Sequence, residues 1–106
     1  MSIQDTIRQT VTENPVVLYM KGSATFPQCG FSSRAVQIIK ACGVEKFVTV
    51  DVLADPEVRQ GIKDYANWPT IPQLYVNGEF VGGSDIMYEM YQAGELQELL
   101  KDIAAS

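Results

Sequence analysis

The feature that most constrains this chain is a short loop that carries Cys29 from a strand pattern into a helix pattern. Residues 16–20 form an apolar run, rich in strand formers, that follows a proline. From Phe31 to Cys42, apolar residues recur at helical spacing on one face. Cys29 is therefore predicted at a helix start, where unpaired N–H groups and the helix dipole favour a thiolate. A buried structural cysteine is the alternative, although the nearby proline and glycine favour an exposed turn.

The other helices are predicted from capping residues and apolar spacing. A first helix over about residues 3–13 begins with a capping box, in which Ser2 is the cap and Asp5 is the acid three residues later. The second helix runs from about residue 30 to 42 and ends at a glycine, which suits a helix C-terminus. The predicted starts of the remaining helices are Asp55-Pro56-Glu57, an N-cap at Ser84, and the apolar repeat that begins at Leu96.

The strand patterns predict a four-stranded mixed sheet. Residues 47–52 are dense in β-branched residues, which suits the interior of a sheet. Strand, helix and strand within about forty residues predict a parallel crossover, and residues 73–81 predict a hairpin around Asn77-Gly78. The order α-β-α-β-α-β-β-α-α therefore predicts an α/β fold with helices on both sheet faces. Cys29 is expected at the C-terminal end of the first strand, where such folds place their sites.

Length and composition limit the class of protein. With 106 residues, 46% apolar and 20% charged, the chain is predicted to form a single domain over residues 1–106. The net charge of −5 argues against nucleic acid and anionic membranes as partners. No apolar stretch reaches membrane-spanning length and the N-terminus resembles no targeting peptide, so a cytoplasmic location is expected. The chain has no histidine, which excludes histidine-assisted nucleophiles and most zinc sites.

Cys29 has no resolving thiol within the chain. Its motif is Cys29-Gly30-Phe31-Ser32, with serine where redox motifs of the C-x-x-C type have a second cysteine. Cys42 would lie roughly 18 Å away at the other end of the same helix, against a Cα limit of about 7 Å for a disulfide. We therefore assign Cys42 to the core and expect Cys29 to take a thiol, or further metal ligands, from another molecule.

Charged and backbone groups near Cys29 are candidates for holding a small thiol. Lys21 follows the first strand and is placed to reach a carboxylate, and Arg59 offers a second cation; solvated surface residues are the alternative for both. The glycines before Ser84 free backbone N–H groups for a carboxylate, and Asp85 offers an acid for an ammonium. A glycine-rich turn with a serine cap is the alternative for this second segment.

The segment Thr70-Ile71-Pro72 adds an extended stretch to this candidate site. A cis Ile71–Pro72 bond would expose the Ile71 backbone for pairing with an extended peptide, and the residues leave cis and trans open. Together with the charged groups, the segment suits a ligand with two carboxylates, an ammonium and a thiol, which is glutathione. A [2Fe–2S] cluster usually needs about four thiolates, so two chains and two glutathiones in a bridged homodimer complete the ligand set most simply.

In combination, these motifs resemble those of the monothiol glutaredoxins with a Cys-Gly-Phe-Ser signature, over essentially the whole chain. The matching stretches are Met20-Lys21-Gly22, Phe26-Pro27-Gln28-Cys29-Gly30-Phe31-Ser32, Trp68-Pro69-Thr70-Ile71-Pro72-Gln73 and Gly82-Gly83-Ser84-Asp85. The resemblance implies a thioredoxin-like fold with a four-stranded mixed sheet and about five helices. It implies a cis Pro72, and it implies Cys29 as catalytic thiol and cluster ligand. Glutathione would be held by Lys21, Arg59, Thr70, Ile71, Pro72, Ser84 and Asp85.

The resemblance also implies a function and partners. It implies transfer of [2Fe–2S] clusters to acceptor proteins, with BolA-like proteins as partners. Two residues depart from the family pattern: Ala24 stands where proline is frequent, and Ser84 stands where many members have a second cysteine, which excludes an internal disulfide between that position and Cys29.

The sequence is compatible with three functions. The first is a cluster carrier, the second a glutathione-dependent thiol–disulfide oxidoreductase acting in protein deglutathionylation, and the third a redox-inert adaptor. The first two use the same site around Cys29, so the residues alone separate them weakly. By resemblance, the Cys-Gly-Phe-Ser signature goes with poor turnover, which favours the carrier.

Overall fold

The computed structural model describes residues 2–105 and contains helices and strands in the predicted order. The helices are α1 (Ile3–Glu13), α2 (Gly30–Ala41), α3 (Pro56–Ala66), α4 (Ser84–Gln92) and α5 (Glu95–Ala104). The strands are β1 (Val16–Met20), β2 (Val48–Asp51), β3 (Gln73–Val76) and β4 (Glu79–Gly82). Met1 and Ser106, which the predicted domain includes, lie outside the described residues. No helix within residues 2–105 is both long and apolar enough to cross a membrane.

The strands form one mixed sheet in the order β2-β1-β3-β4. Strand β1 runs parallel to β2 and antiparallel to β3, and β3 pairs with β4 as a hairpin. The two hairpin turn residues, Asn77 and Gly78, have positive φ angles of 52° and 84°, which this tight turn requires. The predicted mixed sheet and its hairpin are confirmed.

The position of β2 corrects the prediction for residues 47–52. This strand covers only Val48–Asp51, and it lies at an edge of the sheet instead of the interior. Its four residues are half-buried, and Val48 and Val50 pack against the apolar layer under α1 and α3. The β-branched residues did not indicate a central strand, because a strand with one packed face already favours such residues, even at the edge of a sheet.

Strand β1 is the central support of the molecule. All five of its residues are buried, and successive side chains face opposite sides of the sheet. Leu18 and Met20 belong to the apolar layer formed with α2, α4 and α5, whereas Val17 and Tyr19 belong to the layer formed with α1 and α3. The C-terminal end of this rigid strand leads directly into the loop that carries Cys29.

The helix caps follow the sequence in α1 and α3. The Ser2 hydroxyl oxygen accepts the Asp5 N–H at 3.2 Å, and the Asp5 carboxylate accepts the Ser2 N–H at 3.4 Å, which completes the capping box. Asp55 caps α3 by accepting the Glu57 N–H at 2.9 Å. Each cap satisfies a backbone donor that the helix itself leaves free.

The N-cap predicted at Ser84 is wrong. Gly83 is the N-cap of α4, in an extended conformation, and Ser84 is the first residue of the helix. The Ser84 hydroxyl is buried and has no hydrogen-bond partner among the described residues, so it does not cover the first N–H groups of the helix. The first backbone N–H groups of α4 therefore remain available to another hydrogen-bond acceptor.

The loop before Cys29 folds back on itself at Gly22. Gln28 N–H donates to Lys21 O at 2.8 Å, which closes the loop beside β1. Gly22 has a φ angle of +90°, and a Cβ at this position would lie 2.5 Å from the carbonyl oxygen of Phe26. A side chain is therefore excluded here both by the backbone conformation and by the neighbouring backbone.

We expect Gly22→Ala to lower the free energy of unfolding by about 2–3 kcal/mol, because strained backbone and contact with a backbone oxygen act together. Urea denaturation followed by circular dichroism measures this change. Gly30→Ala is the matched control, since a Cβ at Gly30 meets nothing within 4 Å. Equal stability of the two variants would contradict the role assigned to Gly22.

Candidate functional site

Cys29 lies at the N-cap of α2, as the sequence predicts. Its backbone is extended, with φ −152° and ψ 137°, and the helix begins at the next residue. The residue is half-buried and belongs to no disulfide. Two exposed aromatic side chains flank it, Phe26 with 73% and Phe31 with 59% of its surface accessible. The thiol is therefore open to another molecule, and apolar surface lies on both sides of it.

The surroundings of Cys29 lower the pKa of its thiol. The largest cause is the backbone N–H of Ser32 in the first turn of α2, which favours the charged sulfur; burial opposes it. The Phe31 N–H, the positive charge of Lys21 and the Ser32 hydroxyl lower the pKa further. These groups are the free donors of the first helical turn and a neighbouring cation, and both favour the charged sulfur. The thiolate form that the sequence predicts is thus favoured.

Ser32 also has an architectural role. It is fully buried, and its Oγ accepts the Lys21 N–H at 3.0 Å. This hydrogen bond joins the residue after β1 to the first turn of α2. The serine at the fourth position of the motif therefore holds the strand end against the helix, and it also lowers the pKa of the Cys29 thiol.

Cys42 lies at the other end of α2, where the helix ends at Ala41. It is half-buried and packs against the apolar layer of α2, α4 and α5, and burial raises the pKa of its thiol. The α2 helix has 12 residues, and a rise of about 1.5 Å per residue keeps its two ends much farther apart than a disulfide allows. The assignment of Cys42 to the core packing is confirmed, although the residue is not fully enclosed.

A groove of about 280 Å³ lies between the segment before β3 and the start of α4. Five of the predicted ligand-binding residues line it, and the Ile71–Pro72 bond is cis, as the resemblance implies. The lining residues are Phe31, Trp68, Thr70, Ile71, Pro72, Gly83, Ser84, Asp85 and Ile86. Because Phe31 follows Cys29 by two residues, the groove opens next to the thiol.

The groove contains buried polar atoms that lack a partner. Ser84 Oγ and Trp68 Nε1 are both buried without a hydrogen bond to any described residue. A Cβ at Gly83 would lie 3.5 Å from Trp68 Nε1 and 3.2 Å from Pro72 O, so the indole nitrogen borders the α4 N-cap. Buried polar groups in native proteins are usually paired. A ligand carboxylate at the N-terminus of α4 would meet a hydroxyl, free backbone N–H groups and the positive end of the helix dipole.

The remaining predicted site residues lie outside the groove lining. Lys21 is half-buried beside the Cys29 loop, close enough for its charge to lower the pKa of the thiol. Arg59 is exposed on α3, and within residues 2–105 its guanidinium makes no hydrogen bond or ion pair. Lys21 is thus brought to Cys29 by the fold, whereas Arg59 is not brought into contact with either Cys29 or the groove.

Three groove residues, Phe31, Trp68 and Ile86, were not predicted as part of the site. Phe31 was predicted on the packed apolar face of α2, which is wrong, because its ring is 59% exposed and lines the groove. Trp68 was named only within a stretch that matches the resembled family, yet its ring forms part of the groove wall. The sequence signal for Trp68 was a large aromatic residue outside any helix or strand, which needs a packing partner that only the fold supplies.

A metal would need ligands from more than one molecule. Within the described part of the chain, no group of three or more Cys, Asp or Glu side chains is arranged to hold a metal ion. Cys29 offers one accessible sulfur ligand, with a lowered pKa that favours the ligating form. The site can therefore supply one ligand to a metal centre that is shared with other molecules, and the described residues do not provide a complete set of ligands.

Known proteins share both sequence and fold with this chain. The model of the Glutaredoxin family matches residues 16–81. The chain is 64% identical over 100 residues to an uncharacterized monothiol glutaredoxin, ycf64-like, of Synechocystis sp., which covers 94% of this chain and 92% of that protein. It is 58% identical over 99 residues to Glutaredoxin 4 of Escherichia coli K12, covering 93% and 85%. Reduced poplar apo GrxS14 in solution has a TM-score of 0.83 at 48% identity, covering 98% and 94%, which confirms the thioredoxin-like fold.

We expect Ser32→Ala to raise the pKa of the Cys29 thiol and to lower the free energy of unfolding by about 1–2 kcal/mol, because the part-buried Lys21 N–H loses its acceptor. The pH dependence of alkylation by iodoacetamide reports the pKa, and urea denaturation reports the stability. Ser33→Ala is the matched control, since the Ser33 hydroxyl bonds only the Gln37 side chain within the described residues. An unchanged alkylation profile in Ser32→Ala would contradict the assigned role.

Proposed function

Because the chain belongs to the glutaredoxin family, in its monothiol class, we propose that it binds glutathione beside Cys29 and carries a [2Fe–2S] cluster between two copies of itself. The cluster is cargo, delivered to apo iron–sulfur acceptor proteins in cluster assembly and iron homeostasis. One observation carries the proposal: an accessible thiol of lowered pKa borders a groove with unpartnered polar atoms, and the chain has serine where a resolving cysteine would stand.

The chemistry of the groove supports glutathione as the ligand. An extended tripeptide would lie along Thr70, Ile71 and Pro72, with one carboxylate at the start of α4 and its ammonium near Asp85. Lys21, whose charge lowers the pKa of the Cys29 thiol, provides a cation beside that thiol for the second carboxylate. Local groups must supply this attraction, since the net charge of −5 repels anions over longer distances. Arg59, exposed on α3, stays a predicted contact of the same carboxylate.

The count of ligands supports a cluster shared between two chains. Each chain would offer Cys29 and each glutathione one thiolate, which gives the roughly four thiolates of a [2Fe–2S] centre. Two of these ligands come from exchangeable small molecules, which suits a carrier better than an electron-transfer protein. The exposed rings of Phe26 and Phe31 provide apolar surface around the thiol that a second chain would cover.

We further propose that the protein has protein partners and works in the cytoplasm. BolA-like proteins are proposed as partners on the family resemblance alone. A cytoplasmic location is proposed because two free cysteines suit a reducing compartment, where thiols persist without pairing. Within the described residues both cysteines lack a disulfide, and they are too far apart to form one with each other.

The lowered pKa of Cys29 favours a second, enzymatic use of the same thiol. The Cys29 thiolate would attack the glutathione sulfur of a glutathionylated protein, which forms a Cys29–glutathione disulfide and releases the protein thiolate. A second glutathione thiolate would then attack that disulfide, releasing glutathione disulfide and restoring the Cys29 thiolate. Ser32 cannot replace this second thiol, so turnover depends on free glutathione.

Anaerobic reconstitution with iron, sulfide and glutathione is expected to give a coloured dimer with about one iron per chain, as a shared two-iron cluster requires. Size-exclusion chromatography with iron analysis and visible absorbance measures both properties. Cys29→Ser is expected to lose colour and dimer, whereas Cys42→Ser, altered at the core cysteine, is expected to keep both. A colourless wild-type monomer with rapid deglutathionylation would replace the carrier function with the enzymatic one.

Asp85→Asn is expected to weaken glutathione binding about threefold, because an exposed carboxylate loses its charge opposite the ligand ammonium. Isothermal titration calorimetry measures the affinity. Glutaryl-cysteinylglycine, which lacks only that ammonium, should bind both proteins equally. Glu89→Gln, an exposed acid on the same helix, is the control for net charge. Equal loss of affinity in Glu89→Gln would show that Asp85 does not meet the ammonium.

A further inference from the structure

A buried glutamine lies directly behind the groove wall. Gln73, the first residue of β3, is 0% exposed, which is rare for this residue type. Its Nε2 donates to the carbonyl oxygens of Trp68 and Thr70, each at 3.2 Å. Its Oε1 accepts the Tyr75 hydroxyl at 2.9 Å. The tyrosine fixes the oxygen end of the amide, and both N–H groups are thereby directed at the two carbonyls.

The support behind this amide is rigid. Tyr75 is 1% exposed, and its ring contacts those of Tyr19 at 5.8 Å, Tyr65 at 5.9 Å and Phe80 at 5.5 Å between centroids. The Trp68 ring packs on Phe80 at 5.6 Å. Aromatic contacts at these distances restrict the rings that carry them. The Tyr75 hydroxyl is therefore a fixed point from which the Gln73 amide is held.

The segment held by Gln73 has little regular structure of its own. Residues 67–72 lie between α3 and β3, outside any helix or strand, and Trp68 N–H donates to Lys63 O at 2.9 Å at the start of the segment. Backbone carbonyls inside a protein need partners, and here one side chain supplies them for Trp68 and Thr70. The same segment lines the groove with the Trp68 indole and with Thr70, Ile71 and Pro72.

We infer that Gln73 is the positioning residue of the ligand groove. By holding the carbonyls of Trp68 and Thr70, it sets the wall against which an extended ligand lies opposite the start of α4. The inference rests on the proposed binding of glutathione, and it adds a buried residue that touches no ligand yet sets the ligand affinity. Without these two hydrogen bonds, the backbone from Trp68 to Thr70 shifts, and Trp68 Nε1 and Ser84 Oγ no longer face the same ligand.

The test is glutathione affinity in Gln73→Met, which keeps the length of the side chain and removes its donors. Isothermal titration calorimetry should give a dissociation constant about tenfold weaker than that of the wild-type protein, as expected for two lost hydrogen bonds that order a binding wall. Leu100→Ala is the matched control: Leu100 of α5 is fully buried, does not line the groove and lies in a different apolar layer from Tyr75, so its variant reports the effect of lost stability. Leu100→Ala should keep the wild-type affinity.

Trp68 is the only tryptophan of the chain, so its fluorescence reports the position of the wall directly. In ligand-free Gln73→Met, the emission maximum should move to longer wavelength as the indole becomes more exposed, whereas Leu100→Ala should keep the wild-type spectrum. If Gln73→Met does not fold, Gln73→Glu is the second variant. Its carboxyl group offers at most one donor in place of two, so the affinity should fall by about threefold or more.

The outcomes separate the two proposals. Wild-type affinity in folded Gln73→Met, or in Gln73→Glu where that variant is needed, would overturn the positioning role and leave the proposed function intact. An equal loss of affinity in Leu100→Ala would also overturn it, because general loss of stability would then account for the effect. Absence of glutathione binding by the wild-type protein would overturn both proposals.

Discussion

The hydrogen bond from the Lys21 N–H to Ser32 Oγ joins the end of β1 to the first turn of α2, and the geometry around Cys29 depends on this joint. Ser32 is fully buried, so loss of the acceptor would leave a backbone donor unpaired inside the protein. The same hydroxyl and the Ser32 N–H lower the pKa of the Cys29 thiol. One side chain therefore maintains the architecture and favours the reactive form of the sulfur. Serine at this position therefore contributes to both the structure and the thiol pKa of the monothiol site, in addition to standing where a resolving cysteine would be.

The loop before Cys29 is braced from the edge strand as well. The Asp51 carboxylate, at the end of β2, accepts the N–H groups of Gly22 and Leu53, each at 2.9 Å. The Gly22 turn is thus held by backbone contacts within the loop and by a side chain from the neighbouring strand. Because these supports come from β1, β2 and α2 together, regular elements hold the half-buried sulfur in place while it stays accessible to another molecule.

The groove is assembled from segments that are distant in the chain. Phe31 comes from α2, Thr70 to Pro72 from the stretch before β3, and Gly83 to Asp85 from the start of α4. The β3–β4 hairpin brings the last two segments side by side, since one precedes and the other follows it. Gln73 then fixes the wall from behind. The helix N–H groups and Lys21 attract a ligand that carries carboxylates, although the net charge of −5 repels anions.

Local patterns were enough for the order of elements, the capping of α1 and α3, the Asn77-Gly78 turn and the place of Cys29 at a helix start. Each of these depends on residues within a few positions of one another, whose conformational preferences act without the rest of the chain. Local chemistry also singled out Cys29, Lys21 and most of the groove residues, and the family resemblance then implied their roles.

The tertiary structure alone decided which of these residues meet. It put β2 at the sheet edge, exposed Phe31, made Gly83 the cap in place of Ser84, and left Arg59 away from the groove. It also gave the buried Gln73 its partners. Burial and hydrogen bonding between distant segments depend on how the sheet and helices pack, and a single sequence records that packing only indirectly. The chain therefore specified its reactive thiol by local chemistry, whereas the groove beside it exists only because the fold brings three separate segments together.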